Sequence, residues 1–326
     1  MNRFKYLYGY LTVMVFIRSK MIKGKEQKYL EGSIRLLDGK VKKISIYMKK
    51  DKTIKDLEVE LRKKIENKLI ECAQQYYGND HIFDNILLSI IEKIKLNFIK
   101  ISKTLSENQL NDVIDRFAVN FTYESNALEG NSLTLKDVTF VIKEGKAIKG
   151  RDLRDVFETI NTKKAFELIF ESKSKLNENN IMKLHEITVE NTGVASGYKK
   201  FPNYLLGRKV KTTPPEKVKE EMKKLINWYD NNQDLHPLKL ASLFHAKFEQ
   251  IHPFEDGNGR VGRLLINLIL LNKGYPPLII RESQRIKYFH ALEAFDNGHE
   301  DLLIRFIIEK FKDTNDKFFK IYLKYL

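Results

Sequence analysis

Residues 240–272, LASLFHAKFEQIHPFEDGNGRVGRLLINLILLN, constrain the fold of this chain more than any other stretch. Gly257, Gly259 and Gly262 spell G-x-G-x-x-G, and Glu282 follows the last of them by twenty residues, the spacing of a dinucleotide-binding fingerprint. That fingerprint needs a buried strand ahead of its first glycine. Here Leu240, Phe244, Phe248 and Ile251 recur at four, four and three residues, one face of a helix, and Lys247, Glu249 and Gln250 are poor strand formers. PPLIIRE, further on, passes for a second strand, but the first is missing. Beyond the glycines, Arg260 to Asn272 is apolar nearly all round, the mark of a buried helix, and Gly274 and Pro276 end it. The stretch reads helix, loop, helix, which excludes a Rossmann sheet.

A glycine loop leading into a buried helix is an anion site in its own right. Unpaired N–H groups of the first turn and the flexible backbone of Gly257 and Gly259 can wrap a phosphate, and the helix dipole favours negative charge there. Arg260 and Arg263 project from one side of that turn, where cations oppose the dipole unless an anion sits between them. Two such arginines ask for a polyphosphate. Asp256 is the hard oxygen ligand that Mg²⁺ needs beside phosphates, and Asn258 can hydrogen-bond a phosphate oxygen. His252 precedes the loop with its backbone restricted by Pro253, and Phe254 can anchor the loop to the core. A lone histidine is usually structural; one grouped with an acid, an amide and two arginines within twelve residues reads as chemistry.

The rest of the chain sets the context. With 326 residues, 42% of them hydrophobic, it has room for two domains, or one large domain with an appendage, and enough apolar side chains for a real core. Residues 11–50 alternate as strands do, with Asp38-Gly39 as a hairpin signal. From Ile54 the period becomes helical, through Leu57, Leu61, Ile65 and Leu69, and stays largely so to the end. Residues 197–218, GYKKFPNYLLGRKVKTTPPEKV, interrupt it. Strand-like pieces around Asn203-Tyr204 and Val210-Lys211, with Gly207 between them and Pro214-Pro215 closing, suggest a short exposed hairpin able to pair with a partner's extended backbone; a plain loop fits the pattern as well.

Composition narrows the function classes. The single cysteine, Cys72, excludes an internal disulfide framework and a cysteine zinc cluster, and fits a reducing cytoplasm. The apolar run Leu7 to Ile17 carries Tyr8, Tyr10 and Thr12, lacks a small-residue cleavage site and is too short to span a bilayer, so it reads as a strand of a soluble, cytoplasmic protein with no membrane partner. Fifty-eight basic against forty-three acidic residues leave +15, a charge that attracts nucleic acid and acidic proteins alike. The lysines are dispersed through helix-like segments such as Lys93 to Lys103, and no nucleic-acid-binding signature accompanies them, which weighs against a nucleic-acid partner.

HPFEDGNGRVGR resembles the signature of Fic-domain proteins, and the similarity continues through LLINLILLNKGYPPLIIRE to the Tyr288 region and back past the 197–218 segment, over roughly residues 105–310. The resemblance implies a mainly α fold: a Fic helical domain at 105–312 with a β-hairpin flap, preceded by a β-rich region at 1–52 and a helical connector at 53–104, and followed by a helical tail at 313–326. It implies a nucleotidyltransferase that moves AMP from ATP to a Ser, Thr or Tyr hydroxyl of a target protein and of itself. His252 would take the hydroxyl proton, Asp256 would hold Mg²⁺, and Gly257, Asn258, Gly259, Arg260 and Arg263 would position the phosphates. Gly197, Tyr198, Leu205, Gly207 and Val210 would belong to the flap that docks the target as an added strand. Tyr288 and Asn297 would contact adenosine, although the order Phe295, Asp296, Asn297 departs from related sequences, as does Lys199 where arginine is frequent. No DNA-binding winged helix is recognisable in residues 313–326, after the domain, which weighs against a transcriptional role.

A second motif lies upstream in FTYESNALEGN. Leu110, Ile114, Phe117, Phe121 and Leu128 define an inward helix face, with Ser125 and Glu129 on or beside it. Glu129 precedes the helix-ending Gly130, so its charge faces the negative end of its own helix and needs a cation from elsewhere. The motif resembles the inhibitory helix of self-inhibited Fic proteins, here at about 110–130, in which the glutamate pairs with the second arginine of the signature and misplaces the ATP γ-phosphate; carried over, the pair is Glu129 with Arg263. Three other readings stay open: removal of AMP from a modified protein, transfer of another nucleotide, and a basic binding protein without activity, which the intact His252-to-Arg263 constellation argues against. The sequence fixes neither target nor oligomeric state, and a homodimer is compatible with it.

Overall fold

The computed structural model describes residues 15–37, 39–49, 51–171, 174–203 and 212–325. The chain forms two compact units that divide between Thr104 and Leu105. In the first, β1 (Val15–Ile22), β2 (Lys25–Arg35) and β3 (Val41–Tyr47) form an antiparallel sheet in sequence order. Lys23 and Gly24, at φ 50° and 75°, make the two-residue turn between β1 and β2, whose twist suits a hairpin. Pairing runs from Val15 opposite Gly32 to Ile22 opposite Lys25, and from Tyr29 opposite Tyr47 to Arg35 opposite Val41.

Three strands with one apolar face are not stable until that face is covered. Leu57, Leu61 and Ile65, one stripe of α1 (Ile54–Tyr77), close over Leu30, Ile34 and Ile46 of the sheet. The β-rich region and the helical connector, read from sequence as separate segments, therefore share one core. Thr53 caps α1 in a reciprocal box with Asp56, and α2 (Asn85–Thr104) completes the unit.

The second unit is helical: α3 (Glu107–Leu128), α4 (Leu135–Glu144), α5 (Leu153–Glu171), α6 (Glu178–Val189), α7 (Pro215–Asn231), α8 (Pro237–Ile251), α9 (Asn258–Asn272), α10 (Arg285–Asp296) and α11 (Glu300–Thr314). At its centre is α9, buried on every side from Asn258 to Leu270 except at Gly259, and packed on α8, α5, α6 and α3. Each fully buried Leu or Ile there contributes roughly 1.5–3 kcal/mol relative to exposure. The segment after Thr314 continues as helical turns, Asn315–Phe319 and Lys320–Tyr325, and its Phe319 is buried and stacks on Phe117 of α3 at 5.4 Å. The span expected as a flap is shorter than residues 197–218, because Pro215 opens α7, a position that suits its fixed φ and missing N–H. Leu205, Gly207 and Val210 lie outside the described residues. No helix among the described residues is long and apolar enough to cross a membrane.

Candidate active site

The loop between α8 and α9 is shaped from both ends. His252 closes α8 in the left-handed region (φ 48°, ψ 62°), a conformation that costs a non-glycine residue roughly 1–2 kcal/mol. Its N–H still bonds Phe248 O at 2.9 Å. At the other end Asn258 clamps the Phe254 peptide: Phe254 N donates to Asn258 Oδ1 at 2.9 Å, and Asn258 Nδ2 donates to Phe254 O at 2.9 Å. Both ends of this amide are thus committed to the loop itself. Asn258, read from sequence as a phosphate ligand, sits here as the residue that bends the loop.

His185 of α6 supports the loop from beneath. Its ring stacks on Phe254 at 3.7 Å, its Nδ1 accepts from Gly197 N at 3.2 Å, and Nε2 consequently carries the proton donated to Asp256 O at 3.0 Å. Burial pushes the imidazole down to about 4, with Arg260 adding to the effect, so it stays neutral and fixed. Gly257 stands at φ 82°, and a Cβ there would meet Val189 at 3.3 Å.

The first turns of α9 receive two carboxylates. Glu129 ends α3, with Gly130 following at φ 98°, and its Oε1 lies 2.7 Å from Arg263 Nη2. Arg263, only 3% exposed, also donates from Nε to Ser125 Oγ at 3.0 Å and from Nη2 to Ser125 O at 2.8 Å. Burial opposes its charge, yet Glu129, Tyr288 and Glu249 outweigh burial and raise its pKa. A Cβ on Gly259 would lie 2.1 Å from Glu129 Oε1. The glutamate therefore rests directly on the second residue of α9, the ground an anion at this helix start would take. One turn on, a Cβ on Gly262 would lie 2.7 Å from Glu249 Oε1 and 2.8 Å from His245 Nδ1. Gly259 and Gly262 are seats for carboxylates rather than sources of backbone freedom.

On the outer side of the loop Asp256 meets two guanidiniums. Arg154 Nη2 of α5 pairs with Oδ2, and Arg260 Nη2 lies 3.5 Å from Oδ1, which also accepts from Gly257 N at 2.5 Å. Glu158 links the two cations, 3.2 Å from Arg154 Nε and 3.1 Å from Arg260 Nη1. Asp256 keeps 40% of its side-chain surface exposed, whereas Arg260 is buried.

On the inner side His252 Nδ1 is shut off from solvent and faces Glu249 Oε2 at 3.7 Å. Tyr288 is buried behind this pair: its hydroxyl and His245 Nε2 lie 2.6 Å apart, and its ring stacks on His245 and on Phe306. Burial pushes its phenol up, so it stays neutral. Tyr288 is placed as a core support behind Arg263 rather than as an open wall for a base. Asn297 ends α10, exposed, with Nδ2 donating to Glu293 O at 3.0 Å.

The described part of the flap adjoins the loop. Tyr198 bridges Phe254 in antiparallel fashion, Lys199 N donates to Pro253 O at 2.9 Å, and Tyr198 OH donates to Glu178 at 2.8 Å. Lys199 Nζ donates to Asn203 Oδ1 at 2.7 Å and Thr212 Oγ1 at 3.1 Å, residues on either side of 204–211. Burial pushes this lysine down to about 8.

The structure thus gathers His252, Asp256, Gly257, Gly259, Arg260, Arg263, Ser125 and Glu129 around one helix start. Sequence reading misses Arg154, Glu158, His185 and Glu249. Glu249, three residues before His252 on one helix, is the one with a local signal; the other three reach the loop only through folding.

A buried helix start with paired arginines, a histidine beside it and an acid at its mouth is an arrangement suited to holding an anion next to an imidazole. Comparison with known proteins gives this arrangement its family: residues 175–270 match the Fic/DOC family, and the chain carries a Fic domain. It is 29% identical over 195 residues to protein adenylyltransferase fic-1 of Caenorhabditis elegans, covering 57% of this chain and 38% of that one. It is 32% identical over 200 residues to protein adenylyltransferase Fic of Drosophila virilis, covering 60% and 41%. The chain thus spans about two fifths of the length of these relatives. Among solved structures, a Fic domain containing signaling protein from Bacteroides thetaiotaomicron matches with a TM-score of 0.63 at 27% identity, over 69% of this chain and 94% of that one. The 134–508 segment of C. elegans Fic-1 shares the fold, with a TM-score of 0.64 at 22% identity over 82% and 87%.

Proposed function

We propose that this chain is a protein adenylyltransferase, self-inhibited at rest, that moves AMP from ATP to a Ser, Thr or Tyr hydroxyl of a target protein and of itself. The observation that carries the reading is the Glu129 carboxylate lying on Gly259 and paired with Arg263 at 2.7 Å. Arg263 is the buried cation to which a terminal phosphate would be drawn. With Glu129 in that place, a γ-phosphate meets like charge and loses its anchor, and the α-phosphate is held out of line with an attacking hydroxyl. Glu129 stands at the end of α3 with 35% of its side chain exposed, so displacing it requires only the last turn of that helix to move.

In the transfer, the target oxygen bonds to the α-phosphorus, the bond from that phosphorus to the α,β-bridging oxygen breaks, pyrophosphate leaves, and the hydroxyl proton passes to His252. Gly257 and Gly259 bring the start of α9 within reach of the phosphates, and Arg260 supplies fixed positive charge beneath them. Residues 197–203, already paired to the loop at Tyr198 and Lys199, form the base of the edge on which the target segment docks.

The site fits Mg²⁺ that arrives on ATP rather than a resident metal. No three His, Cys, Asp or Glu side chains gather into a metal site among the described residues, while Mg²⁺ in nucleotide sites takes one or two carboxylates and completes its shell with phosphate and water. Asp256, half-exposed at the mouth of the loop, is that carboxylate once Arg154 releases it. When bound, the ion neutralises phosphate charge.

The test is incubation of Glu129→Gly protein with labelled ATP, CTP, GTP or UTP, followed by mass spectrometry of the modified proteins. The reading expects AMP on a hydroxyl side chain, absent in a Glu129→Gly/His252→Ala protein that still binds ATP. Transfer from another nucleotide, or release of AMP from a supplied AMP-modified protein without forward transfer, would replace it.

A further inference from the structure

Glu249 is a buried acid. On α8 it shares a face with His245 and His252, it is 5% exposed, and α9 accommodates it only because residue 262 has no side chain. Leaving an ionised carboxylate there costs several kcal/mol unless partners offset it. The charged and titratable groups that face it are His252 and His245 from its own helix, Arg263 from α9 and, behind His245, Tyr288 from α10. Burial works against its charge, but His252, His245 and Arg263 together outweigh burial and hold the carboxyl down to about 2.

Arg263 already has Glu129 and two acceptors on Ser125. His252 has no comparable partner. Its Nδ1 is enclosed and makes no hydrogen bond, so solvent reaches the ring only through its other atoms. The acceptor facing that nitrogen is Glu249 Oε2 at 3.7 Å, within ion-pair range and about 0.5 Å beyond a hydrogen bond.

We propose that Glu249 is a positioning residue of the transfer reaction: its carboxylate keeps the His252 proton on Nδ1, so that Nε2 presents its lone pair to the target hydroxyl. This rests on the adenylyltransferase reading above. As the hydroxyl proton moves to Nε2, the ring becomes cationic, and the charge forms against a carboxylate already in place instead of in bare apolar surroundings. Residue 262 belongs to the same device, since any side chain there would push the carboxylate off its seat.

The experiment has two arms. Nitrogen-15 spectra of labelled protein at neutral pH read the His252 imidazole directly, with His252→Ala to assign the signal. The wild type should show the proton on Nδ1, and Glu249→Gln should shift the population toward Nε2–H, because the amide can present a donor to Nδ1. In a Glu129→Gly background, Glu249→Gln should lower kcat at least about tenfold while KM for ATP stays within about twofold, and Glu249→Asp should recover part of the loss. A wild-type ring protonated on Nε2, or an unchanged kcat in the glutamine protein, overturns the proposal; the first readout needs no variant at the glutamate. Absence of transfer in Glu129→Gly itself would count against the adenylyltransferase reading and leave the spectral result to decide the role of Glu249.

Discussion

Replacing Gly259 with alanine tests the geometry of the inhibitory contact without relying on activity. The new Cβ would lie 2.1 Å from Glu129 Oε1 and 2.9 Å from Arg263 Nη1, so the carboxylate must withdraw from its 2.7 Å pairing. Losing a charge-assisted contact to a buried guanidinium costs about 1.5–3 kcal/mol, against a gain of about 0.5–1 kcal/mol for alanine over glycine in a helix. The net expectation is a loss of about 1–2 kcal/mol. In a Glu129→Gly background the carboxylate is gone and only the end of the Arg263 side chain, 2.9 Å from the new Cβ, has to shift, so the same substitution should be neutral to stabilising by up to about 1 kcal/mol. The two changes therefore couple by about 2 kcal/mol, or roughly 4–8 °C for a unit of this size. Thermal denaturation of wild type, both single variants and the double variant, with circular dichroism on the helical unit, measures the cycle. Additive shifts would show that Glu129 does not occupy the space over Gly259.

Three further outcomes follow from the loop. Asn258→Ala should destabilise by about 1–3 kcal/mol in denaturant titrations, because Phe254 N–H loses its acceptor while Phe254 O keeps Asn203 Nδ2 at 2.8 Å; a neutral result would remove the clamp from the account. Arg154→Gln should tighten Mg²⁺-ATP binding about twofold to fivefold by calorimetry, since it frees Asp256 from a half-exposed ion pair worth about 0.5–1 kcal/mol, and weaker binding would make Arg154 a phosphate ligand instead. His185, held down to about 4 against an ordinary 6.5, refuses a proton that the unfolded chain accepts, so its contribution is complete above pH 6.5 and lost as pH falls toward 4. It amounts to about 3 kcal/mol at full extent. Unfolding free energies of wild type and His185→Asn, measured between pH 7 and 4.5, should diverge in slope by that sign, and parallel curves would contradict it.

Local pattern made much of this molecule legible. The helical repeat through Leu240, Phe244, Phe248 and Ile251 gives α8 and the all-round apolar run gives α9, while the nearness of Ser125 and Glu129 to Arg263 is implied only by the resemblance to an inhibitory helix. What the sequence hides are contacts between residues far apart in the chain. Arg154 reaches Asp256 across 102 positions and carries no mark of it. Asn258 has the chemistry of a phosphate ligand, but the nearest peptide, that of Phe254, takes both its donor and its acceptor first. For Tyr288 a nucleoside contact is implied only by the resemblance to Fic proteins; in the structure it is buried against His245 and Phe306. Glycines at 259 and 262 fit a phosphate fingerprint in spacing, while their physical reason is the room two carboxylates need.

The measurement that bears most directly on the account is the rate of self-modification by labelled ATP in wild type, Glu129→Gly and Glu129→Gly/Arg263→Ala. Removing the carboxylate frees Arg263 for the γ-phosphate, so Glu129→Gly should transfer AMP faster than wild type, with the gain in turnover rather than in ATP affinity, and the added Arg263→Ala should return it to a low rate. A Glu129→Gly protein no faster than wild type, with ATP and a competent target present, would contradict the claim that the Glu129–Arg263 pair restrains the site.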